Sequence, residues 1–119
     1  VDFDKFCVLA DENSDEEGFL KILAPDVTAI DRGHGLYECV PTGYDKATAM
    51  EVILKRYGIA REDSYAFGDS MNDLAMIRYA GNSIIMENHA KGLEPYATFI
   101  TKDVEDDGIA WAFEQLHII

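Results

Sequence analysis

The chain has 119 residues, 48% hydrophobic and 28% charged, which is the composition of one small globular domain and not of a disordered segment. Its 23 acidic against 10 basic residues leave a formal charge of −13, which argues against a basic face for nucleic acid or an anionic membrane. No apolar run approaches the about 18 residues of a membrane span, and no secretory-signal pattern is visible, so a cytoplasmic location is expected.

The first forty residues predict a small β-α-β-β unit. A strand is expected over 5–10, then a polar turn, then a helix whose start is read from Ser14 and Glu17, a capping-box pair ahead of Phe19, Leu20, Ile22 and Leu23. Pro25 ends that helix. Strands over 27–30 and 36–40 are joined by Asp31-Arg32-Gly33-His34-Gly35, whose glycines suit a tight antiparallel reversal. Cys7 and Cys39 have neither metal nor redox spacing and read as reduced, buried thiols. The chain opens with Val1 inside a strand-like pattern, and the expectation is that it is a piece of something longer.

Pro41-Thr42-Gly43 then punctuates the sequence, dividing 1–41 from 42–119. A helix is predicted over 44–57, with Ala47, Met50, Ile53, Leu54 and Tyr57 inward and Gly58 closing it. Strands follow over 64–68, 83–86 and 98–101, alternating with helices over 71–80, 89–95 and 106–117. Ile109, Ala112, Phe113 and Leu116 form the stripe of the last helix. Such alternation with short connections predicts an α/β fold, a Rossmann-like parallel sheet flanked by helices.

The chemistry concentrates in Ala66-Phe67-Gly68-Asp69-Ser70-Met71-Asn72-Asp73. A strand, a glycine turn and a helix start place Asp69 and Asp73 at the carboxyl end of a parallel strand, where ligands bind in such sheets. Two carboxylates and an amide within five residues suit Mg²⁺, which takes oxygen ligands. Ser70 and Asp73 also have capping-box spacing, and one pair can serve both ends. Lys46, early in the preceding helix, reads alone as a solvated charge. Read with the later acids, it can face a phosphate from the opposite side.

Together with Pro41-Thr42-Gly43-Tyr44-Asp45-Lys46, Gly58-Ile59, Ala80-Gly81, Met86-Glu87-Asn88 and Asp107-Gly108-Ile109, these residues resemble the carboxy-terminal half of a haloacid dehalogenase superfamily phosphatase of the Cof type. The resemblance covers 36–119 in order, and more loosely makes 1–41 the end of that family's α/β cap. It implies a Mg²⁺-dependent phosphomonoesterase acting on a small phosphorylated metabolite. Lys46 then bridges the nucleophile and the phosphoryl oxygens. Asp69 coordinates Mg²⁺, with Asp73 as supporting carboxylate and second candidate ligand. Asn72 contacts the region of the phosphate, Gly68 and Ser70 support the loop, and Asn88 sits where the family has Asn-Ala, here Asn88-His89. His34, His89 and His117 read as surface residues.

One departure matters. The family attacks phosphorus with the first aspartate of an Asp-x-Asp motif after its first strand; Asp2-Phe3-Asp4 precedes a strand instead and lacks the family's continuation. The expectation is therefore a chain beginning within the cap of an enzyme about twice as long, inactive by itself. Strand 64–68 would show an apolar edge that pairs with the missing amino-terminal half or with a second copy. The alternative is a non-catalytic fragment, an interaction or metal-binding module. A phosphotransfer receiver domain fits poorly, since its acids precede its lysine.

Overall fold

In the computed structural model, which describes residues 3–119, the chain first reverses at Gly33, His34 and Gly35, with φ of 85, 54 and 75°. Gly35 is also a close approach, since a Cβ there would lie 2.3 Å from the Ala10 carbonyl oxygen. This reversal joins β2 (Val27–Asp31) to β3 (Leu36–Pro41), and β1 (Phe6–Leu9) pairs on the other side of β3, giving an antiparallel sheet of order β1-β3-β2. The expected hairpin is present. In register, Cys39 stands opposite both Phe6 and Ala29, and Cys7 opposite Glu38. Strand alternation thus sends the two thiols to opposite faces. Cys39 is buried and Cys7 exposed, so only one of the two buried thiols expected is found. Burial pushes the Cys39 thiol up.

Helix α1 (Glu16–Leu23) is capped by Asp15, whose Oδ1 accepts from the Gly18 amide at 2.9 Å. The expected cap, Ser14, is drawn away: its hydroxyl donates to Asp11 Oδ1 at 2.9 Å, inside a turn that also takes the Asn13 amide. Asp11 competes for the hydroxyl locally, as short polar side chains do.

The chain divides at Asp45/Lys46 into two compact units. The second contains α2 (Lys46–Tyr57), β4 (Tyr65–Gly68), α3 (Leu74–Tyr79), β5 (Asn82–Ile85), β6 (Phe99–Ile100) and α4 (Gly108–Gln115). Its sheet is parallel with order β4-β5-β6. Gly58, at φ 65°, ends α2 in a Schellman motif, with Ile59 N–H on the Leu54 carbonyl and Gly58 N–H on that of Lys55. The core gathers Ala66, Ile77, Ala80, Ile85 and Leu93, with Met50, Met71 and Leu74 packed against it. Two residues of the expected α2 stripe, Ile53 and Tyr57, are exposed.

The expected helix over 89–95 does not form. Gly92 sits at φ 100°, and Pro95 opens a single 3₁₀ turn, Glu94–Tyr96. The last helix starts two residues late, at Gly108, because Asp107 takes a left-handed φ of 52°. Among the described residues β4 has one strand neighbour, β5, and no helix is long and apolar enough to cross a membrane.

Candidate active site

The site is built where β4 ends. Gly68 is there because nothing larger fits: a Cβ would stand 2.7 Å from the Cβ of Asp73. That contact lets the chain fold back, so that Asp73, on the 3₁₀ turn Met71–Asp73, takes the amides of Asp69 and Ser70 on its Oδ2 at 3.0 and 3.1 Å. Ser70 and Asp73 complete a capping box. The other oxygen, Oδ1, accepts from Lys46 Nζ, the first residue of α2. Cap and ion pair therefore coexist on one carboxylate.

Asp73 is 5% exposed. Burial alone raises its carboxyl, but Lys46 and the two amides outweigh that and hold it below its ordinary value. Lys46 keeps nearly half its side chain in solvent, so its charge stands at the rim with two further donor positions.

Asp69 differs from Asp73 in every respect. It is exposed, its Oδ1 takes the Ser70 hydroxyl at 2.8 Å, and its backbone carbonyl takes the Ala90 amide at 2.7 Å. With Phe67, Gly68, Asp73, Met86, Val104 and Ile109 it lines a cleft of about 260 Å³. Mg²⁺ is commonly held by one or two carboxylates plus water and substrate oxygens, and Asp69 fits that pattern. Both oxygens of Asp73 are already engaged, so as placed it supports the turn. Among the described residues no cluster of three His, Cys, Asp or Glu side chains completes a protein-only metal cage.

The structure thus brings Lys46, Asp69, Asp73, Gly68 and Ser70 together and leaves the two asparagines at the margin. Asn72 is half-buried on the 3₁₀ turn, and Asn88 is exposed on the loop after β5. The Asn88 amide donates to Asp103 Oδ1 at 3.0 Å. Nothing in the sequence singles out Asp103, and only the fold brings it to this loop. His89 is not a free surface residue: its side chain is 12% exposed and lies between Met86 and Glu94. His34 and His117 are exposed as expected. Of Asp2-Phe3-Asp4, Asp2 lies outside the described residues; Phe3 packs edge-on against Phe6, and Asp4 is an exposed bend residue of the first unit.

Residues 2–113 match the family model described as haloacid dehalogenase-like hydrolase. Over 84 residues the chain is 39% identical to a 5-amino-6-(5-phospho-D-ribitylamino)uracil phosphatase of Bacillus subtilis, covering 71% of this chain and 29% of that protein. Over 87 residues it is 33% identical to a phosphoglycolate phosphatase of Methanothermobacter thermautotrophicus, covering 73% and 39%. A solved haloacid dehalogenase-like hydrolase from Bacteroides thetaiotaomicron superposes with a TM-score of 0.80 at 31% identity, covering 95% of this chain and 44% of that one. The chain spans less than half the length of each of these proteins.

Proposed function

The chain belongs to the haloacid dehalogenase-like hydrolases, Cof type, and on that premise we propose that it forms the lysine-and-acid part of a Mg²⁺-dependent phosphomonoesterase acting on a small phosphorylated metabolite. One observation carries the reading: Lys46 is held by buried Asp73 beside exposed Asp69, at the end of a parallel strand where a cleft opens. An ammonium anchored to a carboxylate that is itself tied to two amides does not have to reorient when a phosphoryl group arrives. Its positive charge also counters, locally, the field of a chain carrying −13.

Asp69 would hold Mg²⁺ through its carboxylate, while Asp73 orients the turn through its amides. The ion, when bound, supplies charge neutralisation at the phosphoryl oxygens. Asn72 and Asn88 serve as neutral polar contacts at the margin. The attacking carboxylate is assigned to the length of the relatives that this chain does not span, and the first unit to part of the family's α/β cap. The names of the two relatives denote small phosphomonoesters of unlike structure, which supports the class and no single member of it. A cytoplasmic location is kept with this reading, supported by two free cysteines.

The open side of β4 is where the rest of the enzyme, or a second copy, would pair. Val104 and Ile109, 69% and 45% exposed, line the cleft with Phe67 and Gly68 of β4 and support an apolar docking face. In sedimentation, a sharp monomer whose β4 amides exchange freely would remove the second-copy option.

The deciding assay is hydrolysis of p-nitrophenyl phosphate with Mg²⁺, by the chain alone and mixed with the remaining part of the enzyme, beside an Asp69→Ala control. Silence alone, turnover on mixing and loss in the control are expected. Turnover by the chain alone that the control abolishes would place a nucleophile within these residues. Silence on mixing would leave a non-catalytic binding module.

A further inference from the structure

The loop between β5 and β6 is held by a side chain that the phosphatase reading does not use. His89 places Nδ1 2.7 Å from the Met86 carbonyl oxygen and Nε2 3.2 Å from Glu94 Oε1. Neither partner carries a proton to give: a carbonyl and an ionised carboxylate only accept. Glu94 is kept ionised, its carboxyl lowered by backbone amides, chiefly its own and that of Gly92, and then by His89. A neutral imidazole satisfies one acceptor and turns a lone pair on the other, so both contacts require the ring to carry two protons.

The backbone amides on either side of His89 are both tied to other segments. Asn88 N–H donates to Asp103 Oδ1 at 3.0 Å, and Ala90 N–H to the Asp69 carbonyl at 2.7 Å. Three consecutive residues thus form one brace, with the ring fixed inside the loop and its neighbours fixed to Asp103 and Asp69. We propose that His89 is a positioning residue, a proton-dependent clamp that bridges Met86 and Glu94 and so keeps the Ala90 amide on the Asp69 carbonyl.

Among the described residues Glu94 is the charged side chain that meets the ring, and the backbone of Met86 and Glu87 also acts on it. Burial disfavours the charged ring, but the Met86 carbonyl and Glu94 overcome this and raise it above its ordinary 6.5. A raised histidine contributes its stabilisation fully below the ordinary value and loses it as pH rises through the folded value. The brace is therefore closed in mildly acidic solution and loosens on the alkaline side. Its catalytic meaning, looser placement of Asp69 at high pH, rests on the phosphatase reading; the clamp itself does not.

The test is an NMR titration of the full chain, following the three imidazoles and the exchange protection of the Ala90 amide corrected for its intrinsic pH dependence. The His89 midpoint is expected above 6.5, and Ala90 protection to fall at least about tenfold across it, with α2 amides unchanged. Glu94→Gln should lower the His89 midpoint and carry the Ala90 transition with it. If that variant does not fold, the wild-type titration decides alone. A His89 midpoint at or below 6.5, or Ala90 protection indifferent to it, overturns the clamp. These readouts need no turnover. A working clamp in a chain that stays silent with its complement would sink the phosphatase reading alone, and the reverse outcome the clamp alone.

Discussion

Each unit buries an acidic side chain, and the two are used differently. Glu38, 7% exposed on the central antiparallel strand, takes Lys5 at 3.3 Å and Arg32 at 2.8 Å. Asp73, 5% exposed, takes Lys46 and the two amides that follow Gly68. By burial and pairing alone they are equivalent, and buried ion pairs are as often structural as functional. What separates them is position. Antiparallel strands alternate their ends, so β3 has no shared rim at which its paired carboxylate meets a second, exposed one. Parallel strands bring all their carboxyl ends to one side, and there Asp73 fixes a cation beside exposed Asp69 and a cleft.

The largest effect that could break this comparison is on turnover. In the complemented enzyme, Asp69→Asn is expected to lower kcat by at least about a hundredfold, with unchanged far-UV circular dichroism. Glu38→Gln, in the first unit, should leave kcat within about threefold. Equal losses from the two would mean that burial, and not position at the rim, marks the chemistry.

Next comes the turn itself. Gly68→Ala sets a methyl 2.7 Å from the Asp73 Cβ and should cost about 1–3 kcal/mol in urea unfolding, with loss of turnover even where the fold survives. A neutral result would show that the turn relaxes without disturbing Asp73.

A third comparison removes one cation from each acid. Lys46→Met strips Asp73 of its side-chain partner, though Lys46 is half in solvent, and should cost about 2 kcal/mol; Arg32→Met leaves Glu38 with Lys5 and should cost about 1 kcal/mol. The pH signature adds a check. Because the Asp73 carboxyl lies below its ordinary 3.8, its contribution is complete above that value and is lost as pH falls through the lower folded one. Acid unfolding of the second unit should therefore begin below about pH 4 in the wild type and at higher pH in Lys46→Met.

The smallest effect belongs to the first unit alone. The Tyr37 hydroxyl donates to Glu16, and chiefly this bond pushes its ionisation up to about 12. Ultraviolet titration should show one tyrosine ionising late, and Glu16→Gln should return it toward 10.0. An unchanged titration would mean that α1 does not hold Tyr37 in solution.

The readings that held are those in which every cause lies within a few residues. A short apolar run places β4, two apolar runs around a glycine turn place the hairpin, and the 3.6-residue pattern places the span of α2 though not all of its inner face, since Ile53 and Tyr57 are exposed. Gly33 and Gly35 permit the reversal, and the Ser70–Asp73 spacing sets the cap. Two of the readings that failed are competitions. Ser14 lost the α1 cap to Asp15 because Asp11 took its hydroxyl, and the helix over 89–95 lost to Gly92, Pro95 and the loop's own side-chain bonds.

By itself, then, the sequence determined the parallel unit, the glycine turn and the side chains that meet there, since strand ends and turn residues are local properties of the chain. Tertiary structure alone decided that Asp73 spends both oxygens on its neighbours and leaves Asp69 open, that Asp103 braces Asn88, and that His89 faces two acceptors at once. The physical reason is the same in each case. A hydrogen-bond partner is settled by which groups packing brings within about 3 Å, and that distance is set by the whole fold rather than by spacing along the chain.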